Sequence, residues 1–334
     1  MTSILSPKPM QAADFRPRGL LKNPHVQSVL ASSGLRRIAM KQRVQLITER
    51  SRAHVFDVGP DTRLQGFHAL PDGEPRGLVV LLHGWEGSVQ STYLQSLGAR
   101  LLLAGYAVFR LNFRDHGDTH DLNEGIFHSC RIDEVVAAVA MAAQRFEHRP
   151  LYIGGYSLGG NFALRVALRC VENAIPLDYV FAVCPAIHPP HVLNSIETAP
   201  AFYHAYFMLK WRRSLQLKQQ AFPERYNFDW ARRGRMRDVT RGLVERHTDF
   251  GTVENYLNGY SIAGDTLAAL TVPGVILAAA DDPVCPIADF RDLQLPEHLE
   301  LQITEHGGHC GFVSDASLES FAEIFVLDRL AART

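Results

Sequence analysis

A serine set between two glycines constrains this chain more than any other feature. Leu151-Tyr152-Ile153 is a short apolar run that reads as a buried strand, and Asn161-Phe162-Ala163-Leu164-Arg165-Val166-Ala167-Leu168 reads as a helix. Between them stands Gly155-x-Ser157-x-Gly159. A serine on a sharp strand-to-helix turn takes a strained backbone, tolerable only where the residues two away lack side chains. The turn leaves Oγ free at the sheet edge, beside the Leu158 amide at a helix N-terminus. In an ordinary glycine-rich turn the same triplet would carry no chemistry. Its place between strand and helix makes it a nucleophile elbow.

The rest of the chain alternates around that elbow. Gly77-Leu78-Val79-Val80-Leu81-Leu82 is continuously apolar, as a strand covered on both faces should be. A helix follows, opening near Ser91 with Leu94, Leu97, Leu101 and Leu102 on one stripe and stopping at Gly105. Ala107–Phe113 is the next strand, Ile132 to Phe146 an amphipathic helix, and Tyr179–Val183 a strand after the elbow helix. Such alternation implies a parallel sheet with helices on both faces. It breaks over 189–270, which reads as helical, aromatic and basic, and resumes with strands at Val275–Ala280 and Leu299–Thr304. The final helix carries Leu318, Phe321, Ile324, Phe325 and Leu327. The expected organisation is therefore an N-terminal arm over 1–40, an α/β core from 41–188 and 271–334, and a helical cap inserted at 189–270. Within the arm, Asn23-Pro24-His25-Val26-Gln27-Ser28 reads as a turn capping a following helix. Arg43–Thr48 and Leu64–Leu70 read as half-exposed strands, the second ended by Pro71-Asp72-Gly73.

Charge and cysteine content narrow the function. Lys and Arg number 34 against 35 Asp and Glu, which gives no electrostatic case for a nucleic-acid partner. No apolar run approaches membrane-spanning length, and Met1–Lys8 lacks the apolar centre of a signal peptide. Cys130, Cys170, Cys184, Cys285 and Cys310 are scattered and odd in number, which suits reduced thiols in a cytoplasm.

A serine hydroxyl needs a base, and the base needs an orienting group. Two later strand ends supply them: Asp281-Asp282-Pro283-Val284-Cys285-Pro286, then Glu305-His306-Gly307-Gly308-His309-Cys310-Gly311-Phe312. Ser, then Asp, then His is the chain order of the α/β-hydrolase fold. Pro283 holds Asp282 extended, so Asp282 is the expected orienting acid and Asp281 a structural neighbour. The two glycines before His309 let its loop turn in, which makes His309 the expected base and His306 a loop support. Acyl transfer also needs two donors for the oxyanion. They are expected from the amide of Leu158 and, in the loop His83-Gly84-Trp85-Glu86-Gly87, the amide of Trp85.

These motifs, with Ser91 and Tyr93, Asn161 and the arm's Phe15-Arg16-Pro17-Arg18 and Asn23-x-His25-x-Gln27-Ser28, resemble the YheT-type α/β-hydrolases over nearly the whole chain. The resemblance implies Ser157 as nucleophile, Asp282 as acid and His309 as base. It implies a fold shared with esterases, lipases and ester-forming acyltransferases. After Asn112-Phe113-Arg114 the family usually has Gly-Cys, where this chain has Asp115-His116; in the cap, Tyr256 and Ser261 fit the spacing but Leu257 replaces a tyrosine.

The expected activity is carboxylic-ester hydrolysis on a small, short-to-medium acyl or lipid-like ester. An acyltransferase using an alcohol acceptor and a ligand-binding protein with a vestigial triad are the alternatives. Neither metal nor cofactor is expected, because His-x-x-His on a glycine loop lacks the helical register of metal-binding repeats. His116, His120 and His128 read as surface or loop-bonding residues. Phe202, Tyr203, Tyr206, Phe207 and Trp211 are candidates for an acyl pocket, with Phe207 and Trp211 the expected substrate contacts. The cap's Arg232, Arg233, Arg235, Arg237, Arg241 and Arg246 read as a solvated face, with contact to an anionic lipid surface as the alternative.

Overall fold

The apolar run Leu78–Leu82 sorts its side chains onto two faces, and the whole molecule is layered accordingly. Leu78, Val80 and Leu82 join one hydrophobic cluster while Val79 and Leu81 join a second on the opposite face, all fully buried. The structure, a computed structural model, describes residues 10–333; the reading of Met1–Lys8 lies outside them. Its sheet has eight strands: β1 (Ser51–Gly59), β2 (Thr62–Ala69), β3 (Leu78–Leu82), β4 (Ala107–Leu111), β5 (Leu151–Tyr156), β6 (Leu177–Val183), β7 (Gly274–Ala279) and β8 (Leu299–Thr304). Their order is β1-β2-β4-β3-β5-β6-β7-β8. β1 and β2 pair antiparallel, as do β2 and β4, and every later pair is parallel. This is the α/β-hydrolase architecture.

The segment ahead of β1 is helical, with α1 (Pro24–Ala31), α2 (Gly34–Ala39) and α3 (Lys41–Glu49), the last lying beyond the arm expected over 1–40. Helices α4 (Thr92–Leu103), α5 (Ile132–Phe146) and α6 (Leu158–Leu168) follow strands β3, β4 and β5. The stretch 189–270 holds α7 (Pro189–Thr198), α8 (Ala201–Ala221), α9 (Met236–His247) and α10 (Val253–Asn258), then α11 (Ile287–Arg291) follows β7 and α12 (Phe321–Ala331) ends the chain. α5 and α6 cover one face through Val135, Val139 and Phe162, and α4 and α12 the other through Leu94, Leu97 and Phe325. The chain winds from β3 outward to β4 and then returns to β5 on the other side. The C-terminal ends of β3 and β5 therefore flank a topological switch point, where an open α/β sheet leaves a crevice. No helix among the described residues is long and apolar enough to cross a membrane.

Two sequence expectations are corrected. Arg43–Thr48 is helical, not a strand: Thr48 Oγ1 donates to Val44 O, Gln45 bonds Glu49 one turn on, and Ile47 is buried against Ala99 and Leu102 of α4. A short apolar run fits either period, and here packing on α4 decides it. The strand lies just beyond, at Ser51–Gly59, paired to β2 across a tight hairpin with Asp61 at φ 50°. Leu318 is likewise outside the final helix, in a turn whose carbonyl accepts from Arg36 Nε at 3.3 Å.

Helix α2 is fastened to α12 and α4 by buried charge. Glu323 on α12 is fully buried and pairs with the equally buried Arg36 of α2 at 2.5 Å. Its other oxygen accepts from Ser96 Oγ at 2.8 Å and Arg100 Nε at 3.0 Å, both on α4. Removing one partner of such a pair strands the other charge without water, which commonly costs about 3–5 kcal/mol. Glu323→Ala should therefore lower unfolding stability by about 3 kcal/mol or more in a urea titration; a loss below about 1 kcal/mol would show that the arm does not depend on this network.

Candidate active site

The elbow forms because nothing larger than glycine fits beneath it. A Cβ on Gly159 would lie 2.3 Å from Leu82 O, and one on Gly155 would lie 2.5 Å from the Gly159 carbonyl carbon. β3 and the start of α6 are thus in backbone contact, and Ser157 is left at φ 54°, ψ −120°. Its amide donates to Val183 O at 2.9 Å, which closes the strained turn onto β6.

The structure brings Ser157, His309 and Asp282 together. Ser157 Oγ is 2.9 Å from His309 Nε2, and His309 Nδ1 is 2.9 Å from Asp282 Oδ2. With Nδ1 facing a carboxylate, the neutral ring carries its proton there and presents Nε2 as acceptor to the serine hydroxyl. The Asp282 side chain is only 1% exposed, and its Oδ1 accepts from the amides of Val284 at 2.8 Å and Cys285 at 3.0 Å. Asp281 turns the other way. Its Oδ1 accepts from Gly308 N at 2.9 Å and Oδ2 lies 3.5 Å from His306 Nδ1, so both serve the histidine loop. Burial raises the Asp281 carboxyl.

On the other side of Ser157 stands the loop after β3. His83 is buried, bonds Gly84 O through Nδ1 at 2.8 Å and accepts from Phe113 N through Nε2 at 3.2 Å; burial pushes it down to about 4. Gly84 N donates to Tyr93 Oη at 2.9 Å. Glu86 occupies the left-handed region at φ 54°, and its amide donates to His116 Nε2 at 3.3 Å. His116 is fixed in turn by Arg114 O at 2.7 Å, and burial lowers it far enough to keep it neutral. Lys210 Nζ of α8 donates to Glu86 O at 3.1 Å. The amides of Trp85 and Leu158 have no hydrogen-bond partner among the described residues, and both residues line the cavity that holds Ser157.

That cavity measures about 970 Å³. Phe207 and Trp211 wall it from α8, with ring centroids 5.7 and 5.3 Å from that of Trp85. Phe202, Tyr203 and Tyr206 extend the same wall. None of Arg232, Arg233, Arg235, Arg237, Arg241 and Arg246 lines it; Arg235 and Arg237 lie beside Glu197, and Arg241 beside Asp238. His116 and His120 are not surface residues. Both are buried, and His120 bonds Ser214 Oγ at 2.9 Å. Among the described residues, three groups of side chains could approach a metal: Cys184, His309 and Cys310; Asp282, Cys285 and His309; and His188, His191 and Asp289. In the first two, both nitrogens of His309 are already engaged by Ser157 and Asp282.

Comparison with known proteins agrees with this architecture. Residues 73–313 match the family described as serine aminopeptidase, S33. The chain is 26% identical over 324 residues to "Putative esterase YheT" of Escherichia coli K12, covering 92% of this chain and 89% of that one. It is 23% identical to the embryogenesis-associated protein EMB8 of Picea glauca, over 90% of this chain and 67% of that one. Among solved structures, the Pyrococcus furiosus esterase Pf2001 superposes with a TM-score of 0.55 at 14% identity, covering 86% of this chain and 94% of the other. A 2,6-dihydroxy-pseudo-oxynicotine hydrolase superposes at 0.57 and 18% identity, covering 90% and 74%.

Glu86 gives the site a pH signature. Burial raises its carboxyl from 4.5 to about 8, against the pull of Lys210. The folded chain then holds a proton that the unfolded chain releases between those values, so stability is full below about pH 4.5 and declines as pH rises to about 8. Glu86→Gln stays neutral throughout and should gain stability on the parent between about pH 5 and about pH 9 in paired urea titrations. A constant difference across that range would mean that Glu86 is not held neutral.

Proposed function

Because the chain belongs to the serine aminopeptidase S33 family of α/β-hydrolases, we propose that it hydrolyses carboxylic esters through Ser157, His309 and Asp282. The observation that carries this reading is the unbroken line from Asp282 Oδ2 through His309 to Ser157 Oγ, with both contacts at 2.9 Å. His309 Nε2 takes the Ser157 proton as Oγ bonds to the ester carbonyl carbon, and Asp282 steadies the imidazolium that forms. The carbonyl oxygen becomes an oxyanion facing the unpartnered amides of Trp85 and Leu158. Collapse of this intermediate breaks the carbon–oxygen bond to the alcohol, which leaves with the proton from His309. A water then gives its proton to His309 and attacks the acyl-enzyme, which releases the acid and restores Ser157.

The stretch 189–270 acts as the cap and sets the acyl range, since its aromatic wall faces the serine. A cavity of about 970 Å³ suits a short-to-medium acyl chain or a lipid-like ester better than a folded polymer. An alcohol replacing water would convert the same acyl-enzyme into a new ester, so product analysis with added alcohol separates hydrolysis from transfer. Five free cysteines fit a reducing compartment and a cytoplasmic placement.

Ser157→Ala should keep the fold and lower hydrolysis of p-nitrophenyl esters by roughly 10⁴-fold or more, since loss of one triad member leaves only binding and oxyanion stabilisation. A variant retaining a tenth of the parent rate would end the proposal. Phe207→Ala and Trp211→Ala should shift the preferred chain length in a graded series of esters while changing the rate on acetate far less. An unaltered chain-length profile would place the acyl site elsewhere in the cavity.

A further inference from the structure

The arm motif Asn23-x-His25-x-Gln27-Ser28 has no part in the chemistry above, yet its helix lies against the loop that presents His309. Asn23 Oδ1 caps α1 by accepting from His25 N at 2.9 Å and Val26 N at 3.2 Å. The helix then meets the loop at three points. Gln27, fully buried, accepts from Val313 N at 2.7 Å and donates to Val313 O at 3.0 Å, a two-bond clamp of the kind a neighbouring strand would supply. Ser28 Oγ donates to Pro24 O at 2.7 Å and accepts from the His309 amide at 2.8 Å. The glycines complete the fit: a Cβ on Gly308 would lie 2.3 Å from Pro24 O, and one on Gly311 would lie 2.5 Å from Gln27 O. Beyond β8 this loop has no ladder to hold it apart from one bridge between Val313 and Ser320. Helix α1 takes the place of the missing sheet.

We propose that Ser28 is a positioning residue for His309: by fixing the histidine's backbone amide it sets the distance from Nε2 to Ser157 Oγ. The inference rests on the reading of Ser157 and His309 as nucleophile and base. The ring hangs from a loop held on one side by Asp281 at the Gly308 amide and on the other by Ser28 at the next amide along. Two consecutive amides anchored to different elements leave the backbone little room to rotate. A displacement of about 1 Å at a catalytic group can cost on the order of 10²-fold in rate. The bland alternative is that Ser28 merely joins arm to core, and it makes different predictions. A purely structural bond would alter the folded fraction without changing the turnover of the folded enzyme.

The test is Ser28→Ala in the full chain, assayed on a p-nitrophenyl ester beside Ser28→Thr, His309→Ala and the double variant Ser28→Ala/His309→Ala. The alanine variant should lose roughly 10- to 100-fold in kcat with KM held within about twofold, because Ser28 lies at the cavity wall but the hydroxyl it loses is already bonded to Pro24 O and His309 N. Threonine, whose hydroxyl can make the same bond to the carbonyl one turn back, should restore most of the rate. In the His309→Ala background, removing Ser28 should cost nothing further, since the group it positions is gone. The inference is overturned if Ser28→Ala keeps the parent kcat, if the loss falls on KM alone, if threonine is as slow as alanine, or if the full loss recurs without His309. Should His309→Ala itself remain active, the triad reading fails instead, and the two failures are told apart in one experiment.

Discussion

Backbone contact between the end of β3 and the start of α6 is the constraint from which the site follows. Leu82 O lies where a side chain on Gly159 would begin, so the elbow can sit this low only with glycine at that position. The close approach has two results at once. It forces Ser157 into a conformation that few residues adopt, which lifts Oγ clear of the sheet. It also brings the loop after β3 beside the serine, so that the amides of Trp85 and Leu158 share one cavity wall. Relaxing the contact would lower the strain but separate the two. The strain at Ser157 is offset by the hydrogen bonds at its own amide and carbonyl, to Val183 and Ala186 on the side of β6.

Polar groups around the elbow are kept neutral or fully paired, as the proposed reaction with its transient charge requires. His83 and His116 are buried with both ring nitrogens engaged, and burial lowers both. Each accepts a backbone amide, one from Phe113 and one from Glu86, so each braces a loop without adding a positive charge beside the oxyanion position. Asp282 is the buried carboxylate in direct contact with His309, and its remaining acceptor capacity is taken by amides of its own turn. In the proposed reaction, a negative charge developing on the substrate would meet oriented dipoles in preference to mobile ions.

Much of this was legible in the sequence because the decisive residues sit at strand ends, where alternation fixes the topology. Continuous apolar runs such as Leu78–Leu82 mark a strand buried on both faces, and the Gly-x-Ser-x-Gly triplet marks the turn. In the structure His309 stands between Ser157 and Asp282, while Asp281, on the turn after β7, bonds the Gly308 amide and lies beside His306. What escaped was long-range packing. Arg43–Thr48 fits strand and helix periods alike, and only its contact with α4 settles the matter. Gly307 and Gly308 read as residues that let a loop turn, and both do have positive φ, at 149° and 54°. Nothing local reveals that Gly308 and Gly311 also clear space for a helix nearly 300 residues earlier in the chain. The density of polar side chains from Asn23 to Ser28 was the visible trace of that contact.

The departure from the family pattern at Asp115-His116 has a physical account of the same kind. Asp115 stands at φ 57°, where the glycine usual in the family would be at ease and where aspartate is among the side chains best tolerated. The backbone shape is thus preserved while a carboxylate is introduced into a buried loop. That charge is met by Lys218 of α8, itself only 1% exposed, at 2.9 Å, and by the Phe127 amide at 2.8 Å. The remaining ammonium protons reach the carbonyls of His120 and Asn123, so all three donors of Lys218 are used. The neighbouring His116 accepts the Glu86 amide, on which Lys210 of the same helix closes from the other side. A glycine and a cysteine could make neither bond. In this chain the exchange fastens α8, and with it the aromatic wall of Phe207 and Trp211, to the loops beneath the cavity through paired charge as well as apolar contact.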